Sequence, residues 1–336
     1  MSIEEDYRAL RTGVGLVDCA TQALIEVTGA DRAAFLHTLL TNDIKRLASG
    51  GGCLAALLTP SAKLVATLLV LADTEALWLL CDRPRLEPLM QALDRYHFSE
   101  QVGFTHHAGR HAVFALQGPR TFALLGSRLG TTGSLASPGD HVTAPLEGAP
   151  IRWVRQTLTG DLGALGICDA AEKERLWRVV SERGREDGLR RVGAEALDIA
   201  RIEAGLPRFG VDMDEDTLLP ETGLETVLAS ETKGCYIGQE IVARMQTYGS
   251  ASKKLMGLVL DGAQGAEAHD AVFHDAEEVG RVTSACHSYA LNRPIALGYV
   301  KRGWYAPGTA VEIARGGRRL KATVAARPLT GPANSG

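Results

Sequence analysis

The stretch that most constrains the fold is the last quarter of the chain, where short β-type runs alternate with glycine-containing turns. The runs are residues 255–260, 278–284, 295–300, 309–313 and 320–325. Short strands at this spacing are typical of a small antiparallel barrel, because each strand turns back at once to pair with a neighbour. We therefore predict a β-barrel over residues 251–330 and a domain boundary near Ser250.

The earlier part of the chain mixes strand-type and helix-type patterns without the regular alternation of a parallel α/β fold. A chain of 336 residues exceeds what one typical hydrophobic core holds, so further domains are expected before the barrel. Residues 130–149 lack periodicity and are predicted to be a loop. The fold class predicted for this part is α+β.

Composition and charge exclude several classes of protein. The net charge of −4 gives no excess of positive charge for general nucleic-acid binding, so we expect no direct contact with nucleic acid. The six cysteines include no C-x-x-C pair and no zinc-finger spacing, which is typical of reduced intracellular proteins. The acidic start is unlike a secretory signal, and charged residues interrupt the apolar run at 64–80. These features predict a cytoplasmic protein that does not span a membrane.

The stretch K-G-C-Y-I-G-Q-E at residues 233–240 carries the candidate chemistry, and a helix-type pattern follows it. Its glycines predict a tight loop leading into a helix N-terminus, where unpaired N–H groups and the helix dipole favour negative charge. With Lys233 nearby, such a position favours the thiolate form of Cys235. Gln239 and Glu240 fall in the predicted first helical turn. We predict a site built from these four side chains; the alternative is a turn around a small buried cysteine.

The chemistry of Cys235 remains open among three uses. A thiolate there could ligate an iron–sulfur cluster transiently, exchange with a disulfide or persulfide, or attack a carbon centre. The third use lacks a histidine base in the motif, and no second cysteine is close in sequence. A four-cysteine metal site therefore needs ligands from a partner. Cys286, followed by His287, is a second soft-ligand candidate, although a half-buried strand cysteine is the favoured interpretation.

The motif matches every fixed position of K-G-C-Y-x-G-Q-E, which marks the YgfZ-type folate-binding proteins, and the chain resembles that family over nearly its whole length. These proteins maintain iron–sulfur clusters and are related to the glycine-cleavage T protein, an aminomethyltransferase. The further matching segments are Thr41-Asn42-Asp43, Leu57-Leu58-Thr59-Pro60, Arg201-Ile202-Glu203-Ala204-Gly205, Val282-Thr283-Ser284 and Ala296-Leu297-Gly298-Tyr299-Val300.

The resemblance implies two interleaved α+β folate-binding-type domains around a central hole, followed by the barrel. The implied domains are residues 1–50 with 150–250, residues 51–149, and residues 251–330. The implied role is assembly or repair of [4Fe–4S] proteins such as tRNA methylthiotransferases. A-type cluster carriers or client enzymes are the implied partners. Tetrahydrofolate is the implied ligand, and Cys235 is the implied transient ligand of a cluster shared with a partner.

Two departures from the T-protein pattern weigh against aminomethyl transfer. T proteins carry an acidic residue on the strand after the first hairpin, where this chain has Ala66 and Thr67. Neither side chain can act as a carboxylate base or stabilise a cation. Ungapped counting places Leu165 and Leu197 where T proteins hold the pterin edge with a Glu and an Arg.

Three charged residues are predicted to contact the ligand. Asp161 lies in a glycine-containing turn and is the nearest carboxylate to the altered pterin positions. Arg201 and Glu203 could pair across the central hole or with the motif loop, or form a charge pair on one helix face. We favour an iron–sulfur accessory factor. The alternatives are a tetrahydrofolate-dependent aminomethyltransferase or demethylase, and a non-catalytic folate-binding module.

Overall fold

The computed structural model describes residues 2–131, 133–247 and 251–331. The strands are β1 (Val14–Asp18), β2 (Gln22–Thr28), β3 (Gly52–Leu58), β4 (Leu64–Ala72), β5 (Leu77–Asp82), β6 (Gly103–His106), β7 (His111–Gln117), β8 (His141–Leu146), β9 (Ala149–Arg155), β10 (Gly163–Asp169), β11 (Leu189–Arg191), β12 (Lys253–Leu260), β13 (Ala271–His274), β14 (Glu277–Ser288), β15 (Arg293–Lys301), β16 (Ala310–Arg315) and β17 (Arg318–Ala325). The helices are α1 (Ile3–Thr12), α2 (Arg32–Leu39), α3 (Leu86–Arg95), α4 (Thr121–Ser127), α5 (Lys173–Arg183), α6 (Ala194–Glu203), α7 (Leu219–Thr222), α8 (Glu225–Leu228) and α9 (Gln239–Thr247). Across these described ranges, no helix combines the length and apolar character that a bilayer crossing requires.

Two open sheets share the first part of the chain. The first sheet has the strand order β11-β1-β7-β10-β9-β8, and the second has the order β3-β4-β5-β2-β6. The consecutive strands β1 and β2 therefore lie in different sheets, which confirms the predicted α+β class with interleaved units. The chain crosses between the sheets after β1 and again after β6. The predicted boundaries at residues 50 and 149 differ from these crossings, because pairing between distant strands leaves no local signal in the sequence.

The two sheets face each other, and helices cover their outer faces. Side chains alternate along each strand, so neighbouring residues enter different clusters. On β4, Leu69 and Leu71 enter the cluster between the sheets, whereas Leu68 and Val70 enter the cluster beneath α2 and α3. Helices α4 and α5 cover the outer face of the first sheet.

Residues 130–149 contain β8 and the start of β9, so the predicted loop is wrong there. Strand β8 lies at an edge of the first sheet and includes Pro145. An edge strand tolerates proline, because one side of its backbone needs no partner strand. Proline and the neighbouring glycine, Gly148, made this segment resemble a loop.

The carboxy-terminal unit is an antiparallel barrel, as predicted. The barrel is closed, and its strand order is β12-β15-β14-β13-β16-β17. Five strands were expected, and β13 is the sixth. It has four residues, and its pairing with β14 shifts register between Val272 and Phe273. A strand this short with a bulge gives too little alternation to be recognised from sequence.

Candidate functional site

The motif loop is anchored by two apolar side chains that enter different clusters. Tyr236 is buried in the cluster formed by the β3–β4 hairpin, α7, α8 and α9. Ile237 packs against the cluster beneath α2 and α3. Cys235 comes directly before them and stays exposed. The thiol is therefore presented by a loop whose next two residues are fixed.

The two glycines of the motif have different roles. Gly238 has a φ of +82°, and a Cβ added there would lie 2.8 Å from the carbonyl oxygen of Thr59 in the hairpin turn. A Cβ added at Gly234 would have no atom within 4 Å, and the backbone of Gly234 does not have a positive φ. The fold thus requires glycine at 238 but not at 234. Helix α9 begins directly afterwards at Gln239, which confirms the predicted helix.

Cys235 is the exposed cysteine among the six of this chain. Burial raises the pKa of each of the other five thiols. The pKa rises to about 12 for Cys19, Cys53, Cys81 and Cys286. It rises to about 11 for Cys168. Within the described ranges, no three His, Cys, Asp or Glu side chains converge as ligands for a metal ion. The transient cluster role of Cys235 therefore stays a prediction that depends on ligands from a partner.

An open groove of about 570 Å³ lies at Cys235. Its walls are Pro60 of the hairpin turn, Tyr96 at the end of α3, the motif loop, and the first turns of α9. Sequence reasoning missed Tyr96 and Pro60, because no local pattern links either residue to the motif. This volume is within the range of sites that bind small molecules.

Lys233 is turned inward and is only 7% exposed. Its Nζ donates hydrogen bonds to the carbonyl oxygens of His37 and Leu40, the latter at 2.5 Å, at the C-terminal end of α2. A cation is favoured there by the helix dipole. Burial nevertheless lowers the pKa of Lys233 to about 8. The ammonium thus lies under the loop as an anchor, and the predicted roles of Lys233 in activating the thiol or contacting an anion stay predictions.

The lowered pKa of Lys233 predicts a measurable pH dependence of stability. The unfolded chain holds this proton up to about 10.5 and the folded chain only to about 8, so stability rises with pH across that window. We expect wild type to gain about 1–2 kcal/mol of unfolding free energy relative to Lys233→Met between about pH 7.5 and about pH 9.5. Urea unfolding of both proteins at both pH values measures this gain. An unchanged difference would contradict the account.

Gln239 and Glu240 both lie in the first turn of α9 and line the groove. Glu240 is exposed and forms an i,i+4 ion pair with Arg244, with 3.2 Å between Oε1 and Nη2. Gln239 is half-buried. Their place beside Cys235 is as predicted, and their roles in a reaction stay predictions.

Arg201 joins α6 to the barrel. Its Nε donates to Asp198 at 2.7 Å, its Nη1 to Asp212 at 2.5 Å, and its Nη2 to the hydroxyl of Ser284 on β14 at 2.7 Å. Ser284 also donates to Asp212 at 2.6 Å. The Arg201 side chain is 7% exposed, and its guanidinium is occupied by these protein groups.

Glu203 is fully buried and joins α1, α6 and the barrel. One carboxylate oxygen accepts from Tyr7 at 2.7 Å and from Arg11 at 2.5 Å, and the other accepts from Ser288 at 2.6 Å. Arg11 also donates to Asp161 at 2.5 Å. The structure thus brings Asp161 and Glu203 together through Arg11, and the predicted pairings of Glu203 with Arg201 or with the motif loop are not formed.

None of these three charged residues lies among the residues that line the groove at Cys235. The charged groups of Arg201 and Glu203 form hydrogen bonds with Ser284 and Ser288 of the barrel, which join the barrel to the α+β units. Ligand contacts by Asp161, Arg201 and Glu203 stay predictions.

The positions expected to serve a pterin and its transfer chemistry are apolar or neutral. Ala66 is fully buried, and Thr67 is half-buried on β4. Leu165 and Leu197 both pack in the cluster between the two sheets. Leu165 and Leu197 offer a pterin edge neither charge nor a side-chain hydrogen bond, and Ala66 and Thr67 supply no carboxylate for the transfer chemistry. The loss of the T-protein contacts to folate at these positions stays a prediction.

Two family descriptions match the chain. Residues 1–232 match the GCVT N-terminal domain, and residues 253–330 match the glycine cleavage T-protein C-terminal barrel domain. Together with the interleaved sheets and the barrel, these matches define the class of protein. The chain belongs to the glycine-cleavage T-protein (GCVT) family.

Aminomethyltransferases are similar to this chain over nearly its whole length, both in sequence and in one solved structure. An aminomethyltransferase of Anoxybacillus flavithermus is 30% identical over 334 residues, covering 98% of this chain and 90% of the relative. One of Bacillus licheniformis is 28% identical over 341 residues with the same coverage. The crystal structure of glycine cleavage system aminomethyltransferase T from Bartonella henselae has a TM-score of 0.88 at 22% identity, covering 98% of this chain and 90% of that one. The T-protein part of the resemblance is confirmed, and the YgfZ-type part, which rests on the motif at residues 233–240, stays a prediction.

Proposed function

We propose that this protein is a cytoplasmic accessory factor for the assembly or repair of [4Fe–4S] proteins and that it acts through the Cys235 thiol. The observation that carries the proposal is the exposure of Cys235 in an open groove, while the other five cysteines are buried or half-buried. The groove gives a partner access to the sulfur. The cluster is cargo in this proposal, and A-type carriers or client enzymes supply its remaining ligands.

The surroundings of Cys235 favour ligation or exchange over attack on carbon. No histidine lines the groove in the described part of the chain, so a base for nucleophilic attack is not provided there. Transient ligation and exchange with a disulfide or persulfide need an accessible sulfur, which this loop supplies.

Membership of the T-protein family supports tetrahydrofolate as a ligand in general terms. The leucines at 165 and 197 mean that a folate here would lack the charged contacts expected at the pterin edge. No step of the proposed function passes through folate. Titration calorimetry with reduced folates tests the ligand separately.

The second candidate function is tetrahydrofolate-dependent aminomethyl transfer. The relatives matched over 98% of this chain are named aminomethyltransferases, which favours this function. Taken alone, these names support aminomethyl transfer better than they support a role in iron–sulfur protein assembly. Against it stand Ala66 and Thr67, because the strand offers no carboxylate to stabilise a developing cation.

Expression of wild type in a strain that lacks the homologous accessory factor tests the first candidate. We expect restored activity of a [4Fe–4S] enzyme, and no rescue by a folded, expressed protein would contradict the role. The second candidate is tested by methylene-tetrahydrofolate formation from an aminomethyl donor. We expect none above background, and steady turnover would reverse the ranking of the two functions.

A further inference from the structure

We infer that the groove at Cys235 binds a small, uncharged disulfide for exchange with the thiol, and that the Tyr236 hydroxyl is the group that holds it. The inference rests on the proposed role of Cys235 in ligation or exchange, and it adds the class of small molecule that reaches the sulfur.

The hydroxyl of Tyr236 has no hydrogen-bond partner among the described residues, although the side chain is only 8% exposed and lines the groove. Fully enclosed hydroxyls without a partner include those of Thr159 and Tyr299, but the Tyr236 hydroxyl is not one of them. It therefore opens into the groove. Burial raises the pKa of Tyr236, so the phenol keeps its proton and can donate it to a ligand. A largely buried hydroxyl left unpaired is unfavourable, and a bound acceptor removes that penalty.

The other walls of the groove are those of a small-molecule site. Tyr96 and Gln239 are half-buried, and neither side chain forms a hydrogen bond in the described part of the chain. The apolar part of the lining comes from Pro60, Ile237 and Ala243. Apolar and aromatic walls with a few available polar groups are typical of sites for small ligands, and the volume of about 570 Å³ agrees with this.

The charges around the groove favour an uncharged ligand. Across the described ranges, Glu240 is the one charged side chain in the lining, and Arg244 pairs with it at 3.2 Å. The Lys233 ammonium lies 5.2 Å from the centre of the Tyr236 ring, but its hydrogen bonds go to carbonyl oxygens at the end of α2. An anionic ligand would therefore meet a carboxylate without gaining a cation from the described lining.

The thiol and the two tyrosine rings favour sulfur in the ligand. Cys235 is exposed in the same lining as Tyr96 and Tyr236, and divalent sulfur packs favourably at the edges of aromatic rings. In the exchange, the Cys235 thiol loses its proton to solvent and the thiolate attacks one sulfur of the disulfide. A mixed disulfide with Cys235 forms as the original S–S bond breaks, and the second sulfur leaves as a thiolate with the electron pair.

The test compares two aromatic disulfides that differ in charge, the uncharged dithiodipyridine and the dianionic dithiobis(nitrobenzoate). The absorbance of the released thiol is followed over a range of reagent concentrations, and the rate of Cys235→Ser is subtracted. With wild type, we expect the rate constant to level off as dithiodipyridine rises, because a complex forms before the exchange. The rate constant with dithiobis(nitrobenzoate) should rise linearly.

Tyr236→Phe should raise the half-saturating concentration of dithiodipyridine about fivefold, the effect of losing one neutral hydrogen bond. The matched change Tyr305→Phe removes the hydroxyl of a half-buried tyrosine in the barrel and should leave this concentration unchanged. Gln239→Leu is a second variant of the groove and should raise it as well. Urea unfolding verifies that each variant is folded.

A linear rise with dithiodipyridine, or an unchanged half-saturating concentration in Tyr236→Phe and Gln239→Leu, would overturn the inference. Saturation by dithiobis(nitrobenzoate) at the same or a lower concentration would assign the groove to an anionic ligand and would overturn it too. These measurements on purified protein are independent of the rescue experiment. A failed rescue with preserved saturation would remove the iron–sulfur role alone.

Discussion

Replacing Glu203 with alanine is expected to lower the free energy of unfolding by about 3–5 kcal/mol, because the largely buried Arg11 guanidinium would keep Asp161 but lose the second of its two carboxylate partners, and buried hydroxyls would lose their acceptor. The hydroxyls are those of Tyr7 and Ser288. These groups come from α1 and the barrel, so the loss falls on the junction between the units. Urea unfolding followed by circular dichroism measures the change.

Glu240→Ala is the matched control for this loss. Glu240 also pairs with an arginine, but both side chains are mostly exposed, and such pairs contribute about 0–1 kcal/mol. A loss below about 1 kcal/mol in Glu203→Ala would contradict the assignment of Glu203 as the residue that fastens α1 and the barrel to α6.

Gly238→Ala is expected to cost about 2–4 kcal/mol, whereas Gly234→Ala should stay within about 0.5 kcal/mol of wild type. At Gly238 the backbone has a φ of +82°, and the added methyl group would press on the carbonyl oxygen of Thr59. At Gly234 the added methyl group meets no atom within 4 Å.

The two glycine variants are compared by urea unfolding and by the alkylation rate of Cys235. Gly238→Ala should change both measurements, because the loop that carries the thiol would be displaced from the hairpin. Equal stability of the two variants would show that the hairpin contact does not fix the motif loop.

Local patterns were sufficient to predict the barrel, the α+β class and the start of the helix at Gln239. In each case the signal lies within a short stretch: alternation between glycine turns, or a polar loop before an amphipathic run. The edge strand β8 and the four-residue strand β13 escaped prediction, because proline and a bulge interrupt their alternation.

The candidate site was predictable only in part. The place of Cys235 before the helix follows from neighbouring residues, but the inward turn of Lys233 depends on carbonyl groups at the end of α2. The partners of Arg201 and Glu203 come from the barrel, which sequence order alone does not bring to α6. The groove wall at Tyr96 likewise forms only after the sheets assemble.

The central claim is that the Cys235 thiol carries the function, and one substitution tests it most directly. In the strain lacking the homologous accessory factor, Cys235→Ser is compared with wild type and with Cys286→Ser, which changes a half-buried cysteine on the barrel. We expect wild type and Cys286→Ser to restore the [4Fe–4S] enzyme and Cys235→Ser to leave it inactive at equal expression. Full rescue by Cys235→Ser would contradict the claim.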